Sequence, residues 1–168
     1  MTTIDQLNAL SEDEFVALLG PVFEHSPWIA QKAASSRPFA NLEELHNALC
    51  SVVESSSQEE QVALIAAHPD LAGRLAQAGE LTAESTREQA AAGLDSLTDD
   101  LQKQLTENNT AYHEKFGFPF VICARLNDVE SILAAMKARL RNDREDEIAT
   151  ALTEIGKIAK LRLKDLIS

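Results

Sequence analysis

Glycine, proline and aromatic residues are scarce in this sequence. Only six Gly and five Pro occur in 168 residues, and aromatic side chains make up 5%. A many-stranded sheet needs repeated turns and favours aromatic side chains, whereas the abundant Ala, Leu and Glu of this chain favour helices. The composition therefore predicts the all-α class. Because 45% hydrophobic residues in a chain of this length suffice for one core, we expect residues 1–168 to form a single compact domain.

The sequence also lacks the marks of a membrane, secreted or nucleic-acid-binding protein. No uninterrupted apolar run approaches the ~20 residues that span a bilayer, and the acidic start MTTIDQLNALSEDEF does not resemble a secretory signal. A formal net charge of -12 repels nucleic acid and anionic membranes. Cys50 and Cys123 show no disulfide pattern, which fits a reducing compartment. We expect a cytoplasmic protein without nucleic-acid or membrane partners.

Motifs of metal and cofactor chemistry are missing as well. His25, His46 and His113 stand apart, without HExxH or Cys/His ligand spacing. The sequence has no glycine-rich phosphate loop, no GxSxG elbow and no Lys whose surroundings favour a Schiff base. We therefore expect no metal, and the sequence disfavours nucleotide and covalent-cofactor chemistry.

Helix-start signals are frequent. Four pairs have the spacing of a capping box, namely Ser11 with Glu14, Asn41 with Glu44, Ser57 with Glu60, and Asn127 with Glu130. Ser26 before Pro27 suggests a further start, with the proline at the first helical position. Apolar spacing predicts longer helices over about 99–115, 128–141 and 144–167. Together these signals predict a bundle of about eight to ten helices.

The run from Phe118 to Arg125 is an exception to the helical pattern. Pro119 disfavours helical geometry in the residue before it, so the run reads as a buried extended segment near 118–124. With no second strand to pair with, its backbone groups need other partners. Two alternatives stay open at this point: a bound ligand, or a connector satisfied by neighbouring helix ends and water.

His68 is the first candidate for chemistry. It precedes Pro69, so its backbone leaves helical geometry where the run Gln61–Ala67 must end. A helix C-terminus favours the cationic imidazole, which could act as a general acid near neutral pH. The alternative, a histidine that caps the last carbonyl groups, is favoured for a lone His-Pro pair.

Ser85, Glu88 and Gln89 lie in the opening turns of a helix. The functional interpretation places Glu88 beside His68 as a second proton-handling group, with Ser85 and Gln89 as hydrogen-bond partners of a polar ligand. The structural interpretation makes Ser85 and Glu88 a capping box, with Thr82 as a rival cap. From spacing alone, the capping interpretation is favoured.

Arg162 lies within an apolar stripe of the last helix, which is marked by Ile148, Leu152, Ile155, Ala159 and Leu166. Its guanidinium keeps its charge, so a carboxylate from the protein or from a ligand is the expected partner. The alternative is an arginine that extends to solvent or pairs with an internal acid such as Glu88.

Three segments, taken together, resemble the 2-oxo-4-hydroxy-4-carboxy-5-ureidoimidazoline (OHCU) decarboxylases. They are His68-Pro69-Asp70-Leu71, Ser85-x-x-Glu88-Gln89, and Phe116-Gly117-Phe118-Pro119-Phe120-Val121-Ile122-Cys123-Ala124-Arg125. The resemblance implies an all-helical, cofactor-free enzyme that converts OHCU to (S)-allantoin and carbon dioxide in the uricase pathway, and it suggests a homodimer. It implies catalytic roles for His68, Glu88 and Arg162. The ligand-contacting positions that it implies are Pro69, Ser85, Glu88, Gln89, Phe120, Val121, Ile122, Cys123, Ala124 and Arg162.

The resemblance lowers the weight of the capping interpretation for Glu88, but two rival functions stay open. A helical interaction module, in which His68 and Glu88 are caps and Arg162 bridges helices, predicts no catalysis. A ureide-processing hydrolase or isomerase would use the same polar pocket without releasing carbon dioxide. Sequence does not decide whether His68 or Glu88 delivers the final proton, because coupled groups can exchange that role.

Overall fold

The computed structural model of the protein describes the backbone of residues 1–168 and every side chain except that of Leu75. The chain forms ten α-helices and three short 3-10 helices. Within the described residues no β-strand forms, apart from an isolated bridge between Thr2 and Ile167. The predicted all-α class and the predicted number of helices are confirmed. No described helix is long and apolar enough to cross a bilayer.

The chain divides into two compact units, Met1–Ala67 with Gly156–Ser168, and His68–Ile155. The first unit contains α1 (Ile4–Ala9), α2 (Glu12–Leu19), α3 (Trp28–Ala33), α4 (Leu42–Glu54) and α5 (Gln58–Ala66). The second contains α6 (Arg74–Ala78), α7 (Ala83–Ala91), α8 (Asp99–Phe116) and α9 (Val129–Arg139). The boundary between the units falls within α10 (Arg144–Leu166). The assignment of residues 1–168 to one domain stays a prediction.

Local capping signals set most of the predicted helix starts. Ser11 with Glu14 and Ser57 with Glu60 form complete capping boxes at α2 and α5, in which each serine and its glutamate satisfy backbone N–H groups that the helix leaves unpaired. Asn41 caps α4 by accepting the N–H of the residue three positions on, at 2.9 Å. These three starts were predicted correctly.

Two predicted helix starts are wrong by one residue. At α9 the cap is Asp128, whose carboxylate accepts from Ser131 N–H at 2.8 Å, rather than Asn127. Two cap-forming residues stand side by side there, and the structure uses the second. At α3 the cap position is Pro27, and the Ser26 hydroxyl instead donates to the Glu24 carbonyl at 2.9 Å.

In the first unit, α3 packs against α2 and α4. The most deeply buried side chains of this unit include Leu7, Phe15, Leu19, Ile29, Leu45 and Leu49. The ring of Phe15 stacks with that of Phe39 at a centroid distance of 6.4 Å, and the Arg37 guanidinium lies 4.8 Å from the centre of the Phe15 ring. Burial of these apolar groups is the main stabilising contribution in this half of the chain.

The core of the second unit is an aromatic cluster around Tyr112 on α8. Its ring lies 4.6 Å from that of Phe116 and 5.4 Å from that of Phe120, measured between centroids. Phe116 and Phe118 stack at 6.0 Å. Because Phe118 and Phe120 belong to the non-helical run, these ring contacts hold that run against α8.

The predicted extended segment is present. Gly117 ends α8 with a φ of +77°, a conformation that glycine adopts without strain. Residues 118–124 are buried, and 118–123 are non-helical up to the 3-10 helix Ala124–Leu126. The predicted helices over 99–115, 128–141 and 144–167 correspond to α8, α9 and α10, with ends that differ by up to two residues.

Candidate active site

His68 is the first residue of the second unit and is 8% exposed. Helix α5 ends at Ala66, and His68 occupies the bend between Ala67 and Pro69. This is the backbone arrangement that the His-Pro pair predicted, because the proline excludes helical geometry from the residue before it. The fold therefore removes the imidazole from bulk water at the start of the loop 69–73.

The buried face of α7 carries three of the predicted residues. Ser85, Glu88 and Gln89 are 6%, 8% and 6% exposed, and their i, i+3, i+4 spacing places them side by side on the helix. The interpretation of Ser85 as the cap of this helix is wrong. The cap is Thr82, whose Oγ1 accepts from Ser85 N–H at 3.2 Å, so Ser85 lies inside α7.

Gln89 joins α7 to the loop that follows His68. Its Oε1 accepts from the Ala72 N–H at 2.9 Å, and its Nε2 donates to the Asp70 carbonyl at 3.4 Å. The side chain thus bonds to the backbone two and four residues after His68. Since Glu88 precedes Gln89 on the same helix, the same bonds fix the place of Glu88 relative to that loop.

Charged and polar side chains satisfy much of the backbone of the extended segment. The Val121 carbonyl accepts from Arg139 Nη1 at 2.8 Å. The Cys123 N–H donates to Glu154 Oε1 at 3.3 Å, and the Cys123 carbonyl accepts from Asn127 Nδ2 at 2.9 Å. The sequence left two alternatives for these backbone groups, a bound ligand or a connector satisfied by helix ends and water. The partners found here are side chains, which the connector alternative did not include.

Glu88 and the extended segment lie within electrostatic range of each other. Burial, then the Glu154 carboxylate and the Glu88 carboxylate, raise the pKa of the Cys123 thiol. Helix α7 also packs against the 3-10 helix Ala124–Leu126. The structure therefore brings together two of the predicted groups, the buried face of α7 and the segment 120–124.

The sequence did not reveal the buried ion pair between Arg139 and Glu147, which supports the extended segment. Glu147 is fully buried and accepts from Arg139 Nε, while the Tyr112 hydroxyl donates to Glu147 Oε1 at 2.6 Å. The Arg139 guanidinium also lies 4.2 Å from the centre of the Phe120 ring. Arg139 and Glu147 lie on two different helices and look like ordinary helix-surface charges, so no local pattern marks them.

Arg162 is buried in the first unit, as its place in the apolar stripe predicted, although Leu152 and Leu166 of that stripe are only half-buried. Its Nη2 lies 3.0 Å from Glu24 Oε2, and its Nη1 donates to the Pro21 carbonyl at 3.2 Å. Glu24 thus supplies a carboxylate of the expected kind. A place for Arg162 in one site with His68 stays a prediction.

The structure is thus an all-α protein that buries a histidine in a bend, a polar face on α7 and an extended backbone segment. The family model described as OHCU decarboxylase matches residues 8–164. A 2-oxo-4-hydroxy-4-carboxy-5-ureidoimidazoline decarboxylase of Haloferax volcanii is 43% identical over 166 residues, which are 99% of this chain and 96% of that protein. The chain therefore belongs to the OHCU decarboxylase family.

Two solved structures are similar to this fold. The crystal structure of an (S)-allantoin synthase superposes with a TM-score of 0.80 at 28% identity, and the match covers 99% of this chain but 54% of that one. The crystal structure of an OHCU decarboxylase in the presence of (S)-allantoin superposes with a TM-score of 0.71 at 25% identity, and the match covers 93% of this chain and 98% of that one. The fold of this family is thus the fold of this chain.

Proposed function

We propose that this chain decarboxylates OHCU to (S)-allantoin and carbon dioxide in the breakdown of urate, and that it does so without a cofactor. The observation that carries the proposal is the buried face of α7, where Ser85, Glu88 and Gln89 lie together and Gln89 binds the loop next to His68. These are residues that the family resemblance marks as functional. Membership of the family supports the same reaction.

The substrate supplies the electron sink for its own decarboxylation. When the bond to the carboxylate breaks, its electron pair moves into the conjugated C=N system of the ring, so pyridoxal or thiamine is not required. The protein must orient the substrate, stabilise the developing charge and deliver a proton to one face of the planar intermediate. Delivery from a fixed side gives the S product.

His68 and Glu88 are the proton-handling pair in this proposal. Both are buried, and in a site with little water a proton moves between positioned groups rather than through solvent. One of the two supplies or shares a proton as carbon dioxide leaves. Ser85, Gln89 and Pro69 contact the ureido arm and the ring.

The substrate ring forms hydrogen bonds through its donor and acceptor edge with the backbone of the extended segment, which comprises Phe120, Val121, Ile122, Cys123 and Ala124. Side chains of α9 and α10 already hold this backbone in place, and a backbone that is fixed before binding loses little entropy when it meets the ligand. This support favours a role in recognition.

Arg162 holds the anionic substrate. Its guanidinium presents several N–H donors in one plane and pairs well with carboxylates. Glu24 Oε2, 3.0 Å from Arg162 Nη2, orients the guanidinium before a substrate carboxylate binds to it.

The proposal extends to the setting of the enzyme. Residues 1–168 act as one domain, the active species is a homodimer, and the protein works in the cytoplasm. Light scattering on the purified chain tests the homodimer by measuring the mass of the assembly. A monomeric mass at all concentrations would contradict it.

The test compares three variants on freshly generated OHCU. His68→Asn and Glu88→Gln should each lower the release of carbon dioxide by about 100-fold or more, the usual contribution of a positioned acid or base. Glu84→Gln is the matched control, because Glu84 lies one turn before Glu88 on α7, is only half-buried and pairs with Arg87 instead. It should leave the rate unchanged.

Full activity in His68→Asn would overturn the assignment of the histidine. A wild-type chain without any effect on OHCU would favour the interaction module. Consumption of a ureide without release of carbon dioxide would favour a hydrolase or an isomerase.

A further inference from the structure

Three polar side chains on one face of α8 bind three successive residues of the loop 69–73. Gln102, Asn109 and His113 are seven and four residues apart, a spacing that keeps side chains on one helix face. Asn109 is buried, and the other two lie at the ends of the row. The contacts are His113 Nε2 to Asp70 Oδ1 at 2.9 Å, Asn109 Nδ2 to the Leu71 carbonyl at 3.1 Å, and Gln102 Nε2 to the Ala72 carbonyl at 2.9 Å.

The loop that these side chains hold has an unfavourable backbone. Ala72 has a φ of +49°, which is rare for a residue with a Cβ atom. Such a conformation persists only where the surrounding structure holds it in place, and it occurs often at functional sites. At the next position, a Cβ on Gly73 would lie 2.6 Å from the Asp70 Cβ, so the turn requires glycine. The bonds from α8 and from Gln89 supply the necessary restraint.

Asn109 makes its bond at a cost. Its Oδ1 is buried and has no hydrogen-bond partner among the described residues, and an unpaired buried acceptor is destabilising. The Nδ2 bond to the Leu71 carbonyl is therefore the contact that the amide contributes here. The placement of this amide is therefore better explained by the loop that it holds than by stability that it adds.

We infer that Asn109, supported by Gln102 and His113, is a positioning residue for His68. The inference rests on the proposed acid–base role of His68. Only Pro69, with its fixed φ, separates His68 from the first anchored residue, so little freedom is left between the bonds of α8 and the imidazole. Gln89 binds the same loop at Ala72 N–H and is the neighbour of Glu88. Helix α8 thus sets the loop to which both members of the proposed pair are attached.

The substitution Asn109→Asp tests this inference, with Asn108→Asp as the matched control. The first replaces the Nδ2 donor by a carboxylate oxygen that repels the Leu71 carbonyl, with almost no change of shape. The second makes the same chemical change at the next residue, which is half-buried and whose side chain makes no hydrogen bond to 70–72 in the described structure. Gln102→Met removes the donor at the half-buried end of the row and provides a milder variant should Asn109→Asp not fold.

Two measurements on each folded variant separate the possible outcomes. In histidine-labelled protein, the ring signals of His68, assigned with His68→Asn, should shift and broaden in Asn109→Asp, while those of His25 and His46 stay unchanged. On OHCU, kcat should fall by about 10- to 100-fold with KM within about twofold of wild type, because a displacement of about 1 Å can cost about 100-fold in rate. Gln102→Met should show smaller changes of the same kind.

Unchanged His68 signals in Asn109→Asp would overturn the inference, whatever the activity of the chain. Altered signals with an unchanged kcat would also overturn it, because the loop would then be held without effect on the reaction. An inactive wild type whose His68 signals still respond to Asn109→Asp would contradict the proposed function, and with it the part of the inference that concerns catalysis, while leaving the structural link intact.

Discussion

The buried pair of Arg139 and Glu147 gives the sharpest prediction for stability. Substitution Glu147→Gln keeps an acceptor for the Tyr112 hydroxyl, now 2.6 Å from Glu147 Oε1, but removes the charge that compensates the buried Arg139 guanidinium. Removing one partner of a buried pair costs about 3–5 kcal/mol. For a chain of this size, about 2–4 °C of melting temperature correspond to 1 kcal/mol. The variant should therefore melt about 6–20 °C lower.

The assay is urea and thermal unfolding followed by circular dichroism. Glu107→Gln is the matched control, because Glu107 forms an exposed i, i+4 pair with Lys103 at 3.9 Å, and exposed pairs contribute about 0–1 kcal/mol. A loss in Glu147→Gln no greater than in this control would show that the Glu147 carboxylate does not compensate the Arg139 charge. The double variant Glu147→Gln with Arg139→Met also removes the buried guanidinium charge that Glu147→Gln leaves uncompensated. It should recover much of the lost stability.

The double variant also separates stability from function. It lacks the Arg139 bond to the Val121 carbonyl at 2.8 Å, so the segment that is proposed to read the substrate loses a support. Its activity on OHCU should stay below that of wild type although its stability returns. Wild-type activity in the double variant would contradict a supporting role of Arg139 for the site.

Two further predictions concern single residues of the second unit. Burial, followed by the hydrogen bond to Glu147, raises the pKa of Tyr112 above its usual 10.0. The stability linked to this shift is present below about pH 10 and is lost as the pH rises beyond that value. Tyrosinate absorbance of this single tyrosine should therefore appear only when the chain unfolds, and a smooth native-state titration near pH 10 would contradict this prediction. Gly73→Ala, whose Cβ would lie 2.6 Å from that of Asp70, should lower the free energy of unfolding by about 1–3 kcal/mol in urea titrations, and an unchanged value would show that the loop can relax.

Elements governed by neighbouring residues could be predicted from the sequence. Ser11 and Ser57 form their capping boxes with the residue three positions on, and Gly117 ends α8 in the left-handed conformation. Pro119 excluded a helix at the start of the buried segment. Where two caps compete, as Asn127 does with Asp128, local chemistry alone does not choose between them.

Contacts between residues of different helices and loops could not be predicted. The partner of Arg162 was expected to be a carboxylate, but Glu24 lies near the other end of the sequence and nothing in its surroundings marks it as buried. Glu147 and Glu154 look like exposed helix charges until the fold places them beside Arg139 and the Cys123 N–H. The same holds for the row of α8 side chains that binds the loop after His68, because its members are chosen by the packing of the loop on the helix.

We propose that this chain turns OHCU into one enantiomer of allantoin with His68 and Glu88. The most direct measurement generates OHCU from urate with uricase, adds the chain and follows the circular dichroism of the product, with spontaneous decay as the control. We expect accelerated decay and accumulation of (S)-allantoin alone. Decay at the spontaneous rate with a racemic product would contradict it.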